Sequence, residues 1–445
     1  MRLIGDTKAR SAYLFLVLAV LLAGDAWRYA FGWWVWAVLA GLLVVASGWL
    51  LYLHRDRWAL GALPYPLLAF LLLASVSLAW SAYPAATALG LVTTWATVIA
   101  GIALAVAFTW AELLRGLGTV LKWILALSLV FELVVSVIVR APVLPLFVQP
   151  GVDYSIYDRI PKMLYWSRNE LFEVFDEGRI QGIVGNSNTL GLLSLLAVIV
   201  FALQLADRTT GRVRSLVWLV LAGLVMVFTR SGTVTIALAV VLAVAGAVLL
   251  VRRAATPRAR ALTYGALVAG FAIAAAAVAL LRSPILGLLG KSSDLTGRLG
   301  IWQAVIELAQ QRPVAGWGWV SFWVPWAAPF DDLAFRNGVR QLQAHNAWID
   351  IWFQLGILGL VVFGALLVSA AMRSWSFAVD RPQNAPGQRA PYTAGSLLPV
   401  LVLTALLVQS VAESRLLDEY GLALLVLIAV KTKLPDASSG ALQGR

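Results

Sequence analysis

The chain has 445 residues, of which 61% are hydrophobic and only 13% are charged, and its formal net charge is +12. A soluble domain of this size does not need so much apolar surface, so the composition indicates a protein that crosses a membrane several times. The apolar runs are continuous and do not alternate, which argues against a β-barrel, and the lack of cysteine excludes disulfides and thiolate metal sites.

We predict an all-α polytopic membrane protein that forms one membrane domain over residues 1–445, with about twelve spans. Each span needs about 20 apolar residues. The first resembles a signal peptide but has no clear cleavage site, so it is expected to remain as a helix. Pro64 and Pro66 predict a kink in the third. The spans cover residues 11–24, 32–53, 59–80, 85–108, 117–139, 181–205, 215–229, 233–251, 261–281, 346–372, 396–412 and 419–432.

Orientation follows from the short loops, which carry Lys and Arg where they are expected to face the cytoplasm. This leaves two long segments on the opposite, outer side, at residues 140–180 and 282–345. The first mixes aromatic residues with charges, and we expect an interfacial helix and turns there. The second predicts a helical outer loop between spans nine and ten. Because the basic residues are explained by loop placement, membrane lipids and not nucleic acid are the expected partners.

The segment 294–311 predicts a short amphipathic helix on the outer surface, ending before Pro313. Thr296 is a plausible N-cap, and Arg298 would lie in the first turn. A guanidinium beside the free N–H groups of a helix start suits a phosphate. The alternative is that Arg298 caps a surface helix or contacts lipid headgroups. The residues expected on the apolar face are Leu299, Trp302, Val305, Ile306 and Ala309.

Arg230 lies in the turn between spans seven and eight, flanked by Thr229 and Ser231. A charge at membrane depth costs about 2.5–3.5 kcal/mol on insertion scales, so it is expected to face a cavity and a partner. The alternative is an arginine whose guanidinium reaches out to the headgroups.

His345 is the one histidine in the predicted outer segments, and it directly precedes span ten. An imidazole can accept a proton near neutral pH, so His345 is a candidate general base, oriented by Asn346 or Asp350. A structural role for a lone histidine remains open.

The start of span six is polar and rich in glycine, with Arg179, Asn186 and Asn188 close together. This pattern indicates close backbone approach, either for helix packing or as one wall of a site. The outer segments contain no acidic cluster with metal-ligand spacing, so no metal or cofactor is expected. Charge on a phosphate leaving group would then be stabilised by guanidinium groups.

These segments together resemble the O-antigen ligase and polymerase family of bacterial membrane glycosyltransferases, most clearly over residues 179–360. Ser187 departs from the family pattern, which often has proline there. The matching elements are Arg179-Ile180-Gln181-Gly182 with Gly185-Asn186-Ser187-Asn188-Thr189-Leu190-Gly191, then Thr229-Arg230-Ser231, Thr296-Gly297-Arg298 with Trp302, Pro313 with Gly316-Trp317-Gly318, and His345-Asn346 with Gly356 and Gly359.

The resemblance implies a metal-independent inverting transferase of the bacterial inner membrane with its active site facing the periplasm. The donor would be a glycan linked to undecaprenyl pyrophosphate, and the acceptor a hydroxyl at the outer leaflet, foremost that of lipid A core. Arg230 and Arg298 match the family's pyrophosphate-binding arginines, and His345 matches its acceptor-activating histidine. Arg179, Asn186, Asn188, Asn346 and Trp302 are then candidate substrate-binding residues.

Other functions remain open. Within the same family, a polymerase would extend the lipid-linked glycan, and a protein O-glycosyltransferase would transfer it to a polypeptide. From another class, a transporter or lipid flippase also fits twelve spans but predicts inverted repeats and broken midplane helices. Four tryptophans of the loop are expected to stack on sugars or to anchor the loop at the membrane interface, namely Trp317, Trp319, Trp323 and Trp326.

Overall fold

The computed structural model describes residues 7–149, 151–280, 298–336, 338–381, 383–385, 388–389 and 391–434. Helices dominate this part of the chain. They are α1 Thr7–Leu22, α2 Gly24–Leu53, α3 Tyr65–Val76, α4 Pro84–Ala107, α5 Trp110–Val134, α6 Ser187–Ala206, α7 Arg212–Phe228, α8 Gly232–Arg253, α9 Pro257–Leu280, α10 Arg298–Gln311, α11 Ala347–Val379, α12 Leu398–Ser410 and α13 Glu419–Lys431.

A helix lies within each of the twelve predicted spans, and α10 is the short helix predicted between the ninth and tenth. Within the described ranges, seven helices are long and apolar enough to cross a membrane: α2, α4, α5, α6, α8, α9 and α11. The chain is therefore a multi-pass membrane protein. The count of twelve spans and the side of the membrane on which each loop lies stay predictions.

Three local predictions were wrong. Helix α3 begins at Tyr65, so Pro64 and Pro66 stand at its start and produce no kink. Helix α6 begins at Ser187 and not at residue 181, because Asn186 caps it. The described part of the 140–180 segment forms 3₁₀ turns and a bridge between Val143 and Ser167, with no interfacial α-helix.

The centre of the bundle is formed by helices that are buried on all sides. Most residues of α6, α12 and α13 are buried. Helix α6 packs against α5, α7 and α12, while α13 packs against α4 and α11. A helix that is apolar around its whole circumference has to be enclosed by other helices or by lipid. Helix α9, by contrast, has no buried residue in its most apolar 18-residue stretch.

A buried carboxylate fixes the chain that precedes α6. Glu132, on α5, accepts hydrogen bonds from the backbone N–H groups of Gln181 at 2.8 Å and Gly182 at 2.7 Å. Its other oxygen accepts a bond from Ser167 Oγ at 2.6 Å. A buried charge is stable only when it is fully hydrogen-bonded, so these contacts hold the polar segment against the bundle.

Four short strands complete the described residues. Strands β1 (Phe335–Arg336) and β2 (Val339–Arg340) form an antiparallel hairpin, with Phe335 opposite Arg340 and Arg336 opposite Val339. Strands β3 (Gln383–Ala385) and β4 (Gln388–Arg389) form a second hairpin after α11. The first hairpin leads directly into the segment that carries His345.

Candidate active site

Glu413 connects three parts of the chain. It lies between α12 and α13, and only 5% of its surface is exposed. Its Oε2 is 2.8 Å from His345 Nδ1. Its Oε1 accepts hydrogen bonds from Arg298 Nη2 and from Asn188 Nδ2, both at 2.8 Å. The structure therefore brings a histidine, an arginine and an asparagine from separate predicted motifs onto one carboxylate.

The environment of Glu413 favours its charged form. Burial by itself raises the pKa of this carboxyl, but His345 and Arg298, together with the hydrogen bond from Asn188, lower the pKa further than burial raises it, to about 2. The carboxylate is therefore ionised throughout the neutral range. An ionised carboxylate bonded to one nitrogen of an imidazole holds the ring in place and stabilises its positive charge.

His345 stands at a strained point of the backbone. Its φ is 52°, a left-handed value that non-glycine residues rarely adopt. Nδ1 faces Glu413, and Nε2 is 3.1 Å from Oε1 of Gln341. Among the described residues, the hydrogen bonds to the ring therefore come from Glu413 and Gln341, and not from Asn346 or Asp350, the two residues expected to orient it.

Asn346 and Asp350 instead build the frame around His345. The side chain of Asn346 caps α11 by accepting bonds from Trp348 N at 3.0 Å and Ile349 N at 3.2 Å. Asp350 accepts bonds from Ala344 N at 3.0 Å and from the hydroxyl of Ser414. These bonds tie the residues on either side of His345 to Ser414, the neighbour of Glu413.

Arg298 is the first residue of α10 in the described part of the chain and is buried. Its Nη2 contacts Glu413, while its Nε has no hydrogen-bond partner within the described ranges. The residues expected to precede it in the turn, Asp294 to Gly297, lie outside the described residues. The spare N–H of Arg298 is a donor aimed into a buried site.

The remainder of α10 anchors Arg298. Ile301, Val305 and Ala309 are buried on the same face, whereas Leu299, expected on that face, is 45% exposed. Trp302 is half-buried and donates from Nε1 to the carbonyl of Ala344 at 3.0 Å. Trp302 thus ties α10 to the residue that precedes His345.

Arg179 and Asn188 extend the network toward the turn between α7 and α8. Arg179 Nη2 donates to Asn188 Oδ1 at 3.1 Å, and its Nε donates to the carbonyl of Thr229 at 3.0 Å. Ser231 Oγ donates to the same oxygen of Asn188 at 3.0 Å. Burial, followed by the nearby positive charge of Arg168, lowers the pKa of Arg179 to about 10.

Arg230 lies beside this network but is not bonded to it. Its two neighbours, Thr229 and Ser231, are buried members of the network, while Arg230 itself is exposed and has a φ of 47°. Its Nη1 donates to the carbonyl of Val174 at 2.9 Å. Asn186 is also exposed, and its side chain caps α6 by accepting bonds from the N–H groups of Asn188 and Thr189.

Two of the four tryptophans are structural. Trp319 and Trp323 are 0% and 1% exposed and donate to Thr94 Oγ1 and Asp350 Oδ1, so they cannot stack on a sugar. Trp326 is 62% exposed, and Trp317 is half-buried beneath the guanidinium of Arg312. The described residues contain no group of three or more His, Cys, Asp or Glu that could hold a metal ion.

Glu413 and Gln341 were not anticipated from the sequence. A signal for Glu413 did exist, because the short break between the last two apolar runs, residues 413–418, contains four charged or hydroxyl residues among six. Charge concentrated where two spans meet indicates a functional position. Gln341 has no comparable signal, since its importance depends on the folded position of the hairpin.

A comparison with protein families matches residues 215–364 to the O-antigen ligase family. This segment includes Arg230, Arg298 and His345. The chain is also similar to the exopolysaccharide production protein ExoQ of Rhizobium meliloti (strain 1021), with 37% identity over 89 residues. The match covers 19% of this chain and 20% of that protein, so the aligned part is about a fifth of the relative's length. The chain is thus a multi-pass membrane protein whose residues 215–364 match the O-antigen ligase family.

Proposed function

We propose that the protein is a metal-independent, inverting membrane glycosyltransferase. It moves glycan from undecaprenyl pyrophosphate to an acceptor hydroxyl at the outer leaflet of the bacterial inner membrane, and its foremost acceptor is lipid A core. The observation that carries this proposal is the contact of His345 and Arg298 with the single carboxylate of Glu413. It joins a group able to take a proton to a group able to bind a phosphate.

In the proposed reaction, His345 Nε2 takes the proton of the acceptor hydroxyl. The acceptor oxygen attacks the anomeric carbon from the face opposite the pyrophosphate, and the bond from that carbon to the leaving oxygen breaks. Glu413 holds the proton on Nδ1 and stabilises the imidazolium that forms, as a carboxylate does for a catalytic histidine. No cofactor takes part.

The arginines supply the charge that the leaving pyrophosphate needs. Arg298 retains a buried N–H without a partner among the described residues, and Arg179 lies within electrostatic reach of it. Arg230 is exposed at the adjacent turn, where it can bind the outer phosphate. Fixed guanidinium groups in a site shielded from water stabilise developing negative charge strongly.

A second candidate function is polymerisation, in which the acceptor is another lipid-linked glycan. The name of the similar protein, an exopolysaccharide production protein, favours polymerisation, because exopolysaccharides are long polymers. The chemistry at His345 and Arg298 would be unchanged, and only the acceptor would differ.

The decisive experiment incubates purified protein with undecaprenyl-pyrophosphate glycan and either lipid A core or a second lipid-linked glycan. Product mass distinguishes ligation from polymerisation. We expect His345→Ala to lower the rate about a hundredfold or more, the usual contribution of a general base. Transfer by His345→Ala at the rate of the wild type would refute the proposal.

The same assay tests Arg298 with a charge-preserving substitution. Arg298→Lys keeps the positive charge but loses the planar fork and the Nε–H, so the transfer rate is expected to fall markedly. The matched control is Arg258→Lys, because Arg258 is exposed, and its transfer rate is expected to stay at the wild-type value. Near-normal turnover by Arg298→Lys would exclude the proposed role.

A further inference from the structure

Gln341 occupies the nitrogen of His345 that the proposed reaction needs. Its Oε1 lies 3.1 Å from Nε2, while Glu413 takes Nδ1 on the other side of the ring. Gln341 is 6% exposed, so its side chain is a buried part of the site and not a mobile surface group. An acceptor hydroxyl cannot reach Nε2 while the amide oxygen is there.

The contact with Gln341 also affects the protonation of His345, and does not only block access to Nε2. A neutral imidazole has one N–H and one lone pair. With a carboxylate oxygen at Nδ1 and an amide oxygen at Nε2, both nitrogens face acceptors, and the doubly protonated ring satisfies both. A doubly protonated ring has no lone pair with which to take a proton.

The amide nitrogen of Gln341 fixes the orientation of the amide group. Gln341 Nε2 donates to the carbonyl of Val339 at 2.9 Å, so turning the amide over would bring two acceptors together. The backbone N–H of Gln341 donates to Ala334 at 2.8 Å across the base of the β1–β2 hairpin. The tip of this hairpin is bound in turn by Tyr157, whose hydroxyl donates to the carbonyl of Gly338 at 3.1 Å.

We propose that Gln341 regulates this site by blocking the base until an acceptor displaces its amide. The Nε2 proton then passes to solvent water, and the nitrogen regains the lone pair that takes the proton of the attacking hydroxyl. The inference rests on the proposed function. The block would protect the donor from hydrolysis, because water is the commonest nucleophile that competes with the acceptor. In the competing reaction, the oxygen of water attacks the anomeric carbon, the bond to the pyrophosphate breaks, and the proton of the water passes to His345 Nε2. The products are free glycan and undecaprenyl pyrophosphate.

The test measures hydrolysis of undecaprenyl-pyrophosphate glycan without any acceptor, in the wild type, Gln341→Ala and Gln341→Ser. Both substitutions leave space for water and remove the amide oxygen. We expect hydrolysis to rise about ten- to a hundredfold, the factor that corresponds to one hydrogen bond to a charged group. Gln303→Ala is the matched control, because Gln303 is exposed on α10 and its side chain donates to Glu307 at 3.1 Å, away from His345. Adding His345→Ala to either variant is expected to abolish the gain.

The outcomes separate the inference from the function on which it rests. If the wild type transfers glycan, and hydrolysis by folded Gln341→Ala or Gln341→Ser stays at the wild-type rate, the block does not exist. Slower transfer without added hydrolysis assigns Gln341 to acceptor positioning and also overturns the proposal. If the wild type hydrolyses the donor without acceptor as fast as it transfers glycan to an acceptor, the proposed block is overturned, even if both variants fail to fold. If no acceptor is glycosylated by the wild type, it is the proposed function that fails.

Discussion

Glu413 illustrates how a buried charge can be stable in a membrane protein. Leaving such a group without partners costs several kcal/mol, yet here Arg298, Asn188 and His345 supply three hydrogen bonds from widely separated positions. The same contacts assemble the site, because each partner is held at a fixed distance from the other two. One carboxylate thus provides both local stability and the geometry of the proposed catalytic site.

Replacing Glu413 with glutamine tests this double role. Glu413→Gln preserves shape but removes the charge that stabilises the imidazolium, so the transfer rate is expected to fall about a hundredfold or more. Glu307→Gln, on the exposed face of α10, is the matched control and should transfer normally. Full activity of Glu413→Gln would show that His345 works without a charged partner.

The effect of Glu413 on stability should depend on pH in a defined direction. Its pKa is lowered from 4.5 to about 2 in the folded protein. The stabilisation is therefore fully present above the unfolded pKa and is lost as the pH falls through the folded one. We expect the difference in melting temperature between wild type and Glu413→Gln to narrow between about pH 5 and about pH 3. A difference that widens in acid would contradict the assigned charges.

At the scale of elements, hydropathy located the helices but not the contacts between their ends. Long apolar runs predict helices well, since the backbone must satisfy its own hydrogen bonds in lipid. The network at Glu413 joins Asn188, Arg298 and His345 to a residue near the C-terminal helix, and no local pattern encodes such pairing. Residue type and position single out Arg298 and His345, and the charged break around Glu413 marks it too, but no sequence signal shows that the three groups contact one another.

The glycine-containing segments at Gly316-Trp317-Gly318 and at Gly356 also make a contact that no local sequence pattern predicts. Helix α11 is interrupted at Gly356, whose φ is 65°, and the segment 313–318 bonds into the break. Trp317 N donates to Phe353 at 3.0 Å, Gly318 N to Gln354 at 2.9 Å, and Ile357 N to Pro313 at 2.8 Å. The loop thereby replaces hydrogen bonds that the interrupted helix cannot make. The loop also holds the first turns of α11, the helix that begins two residues after His345.

Alanine at Gly356 is expected to disrupt this junction. A Cβ there would lie 2.2 Å from backbone atoms of Val314, and the positive φ adds strain of roughly 1–3 kcal/mol. Gly364 lies in the same helix with no atom within 4 Å of an added Cβ, so Gly364→Ala is the control. We expect Gly356→Ala to lower the melting temperature and Gly364→Ala to leave it nearly unchanged. Equal melting temperatures would mean that the loop does not pack into the helix.

At the scale of the whole molecule, the proposed reaction requires the site to face the periplasm. The positive-inside rule assigns the outer face to residues 140–180 and 282–345, and the short basic loops to the cytoplasm. Tyr157 and Gly338, one from each outer segment, are joined by a hydrogen bond, so these two segments must lie on the same side. The orientation of the entire bundle therefore follows from the side on which either segment is found.

Because the chain contains no cysteine, single introduced cysteines report this orientation without background. Ser155→Cys and Asp331→Cys lie at exposed outer positions, while Thr209→Cys and Ala255→Cys lie at exposed positions in predicted cytoplasmic loops. In intact bacteria whose outer membrane admits the reagent, a maleimide that cannot cross the inner membrane should label the first pair only. Disrupting the inner membrane should then allow the second pair to react. Labelling of Thr209→Cys and Ala255→Cys in intact cells, with Ser155→Cys and Asp331→Cys protected, would invert the topology. It would place His345 on the cytoplasmic side, away from an acceptor at the outer leaflet.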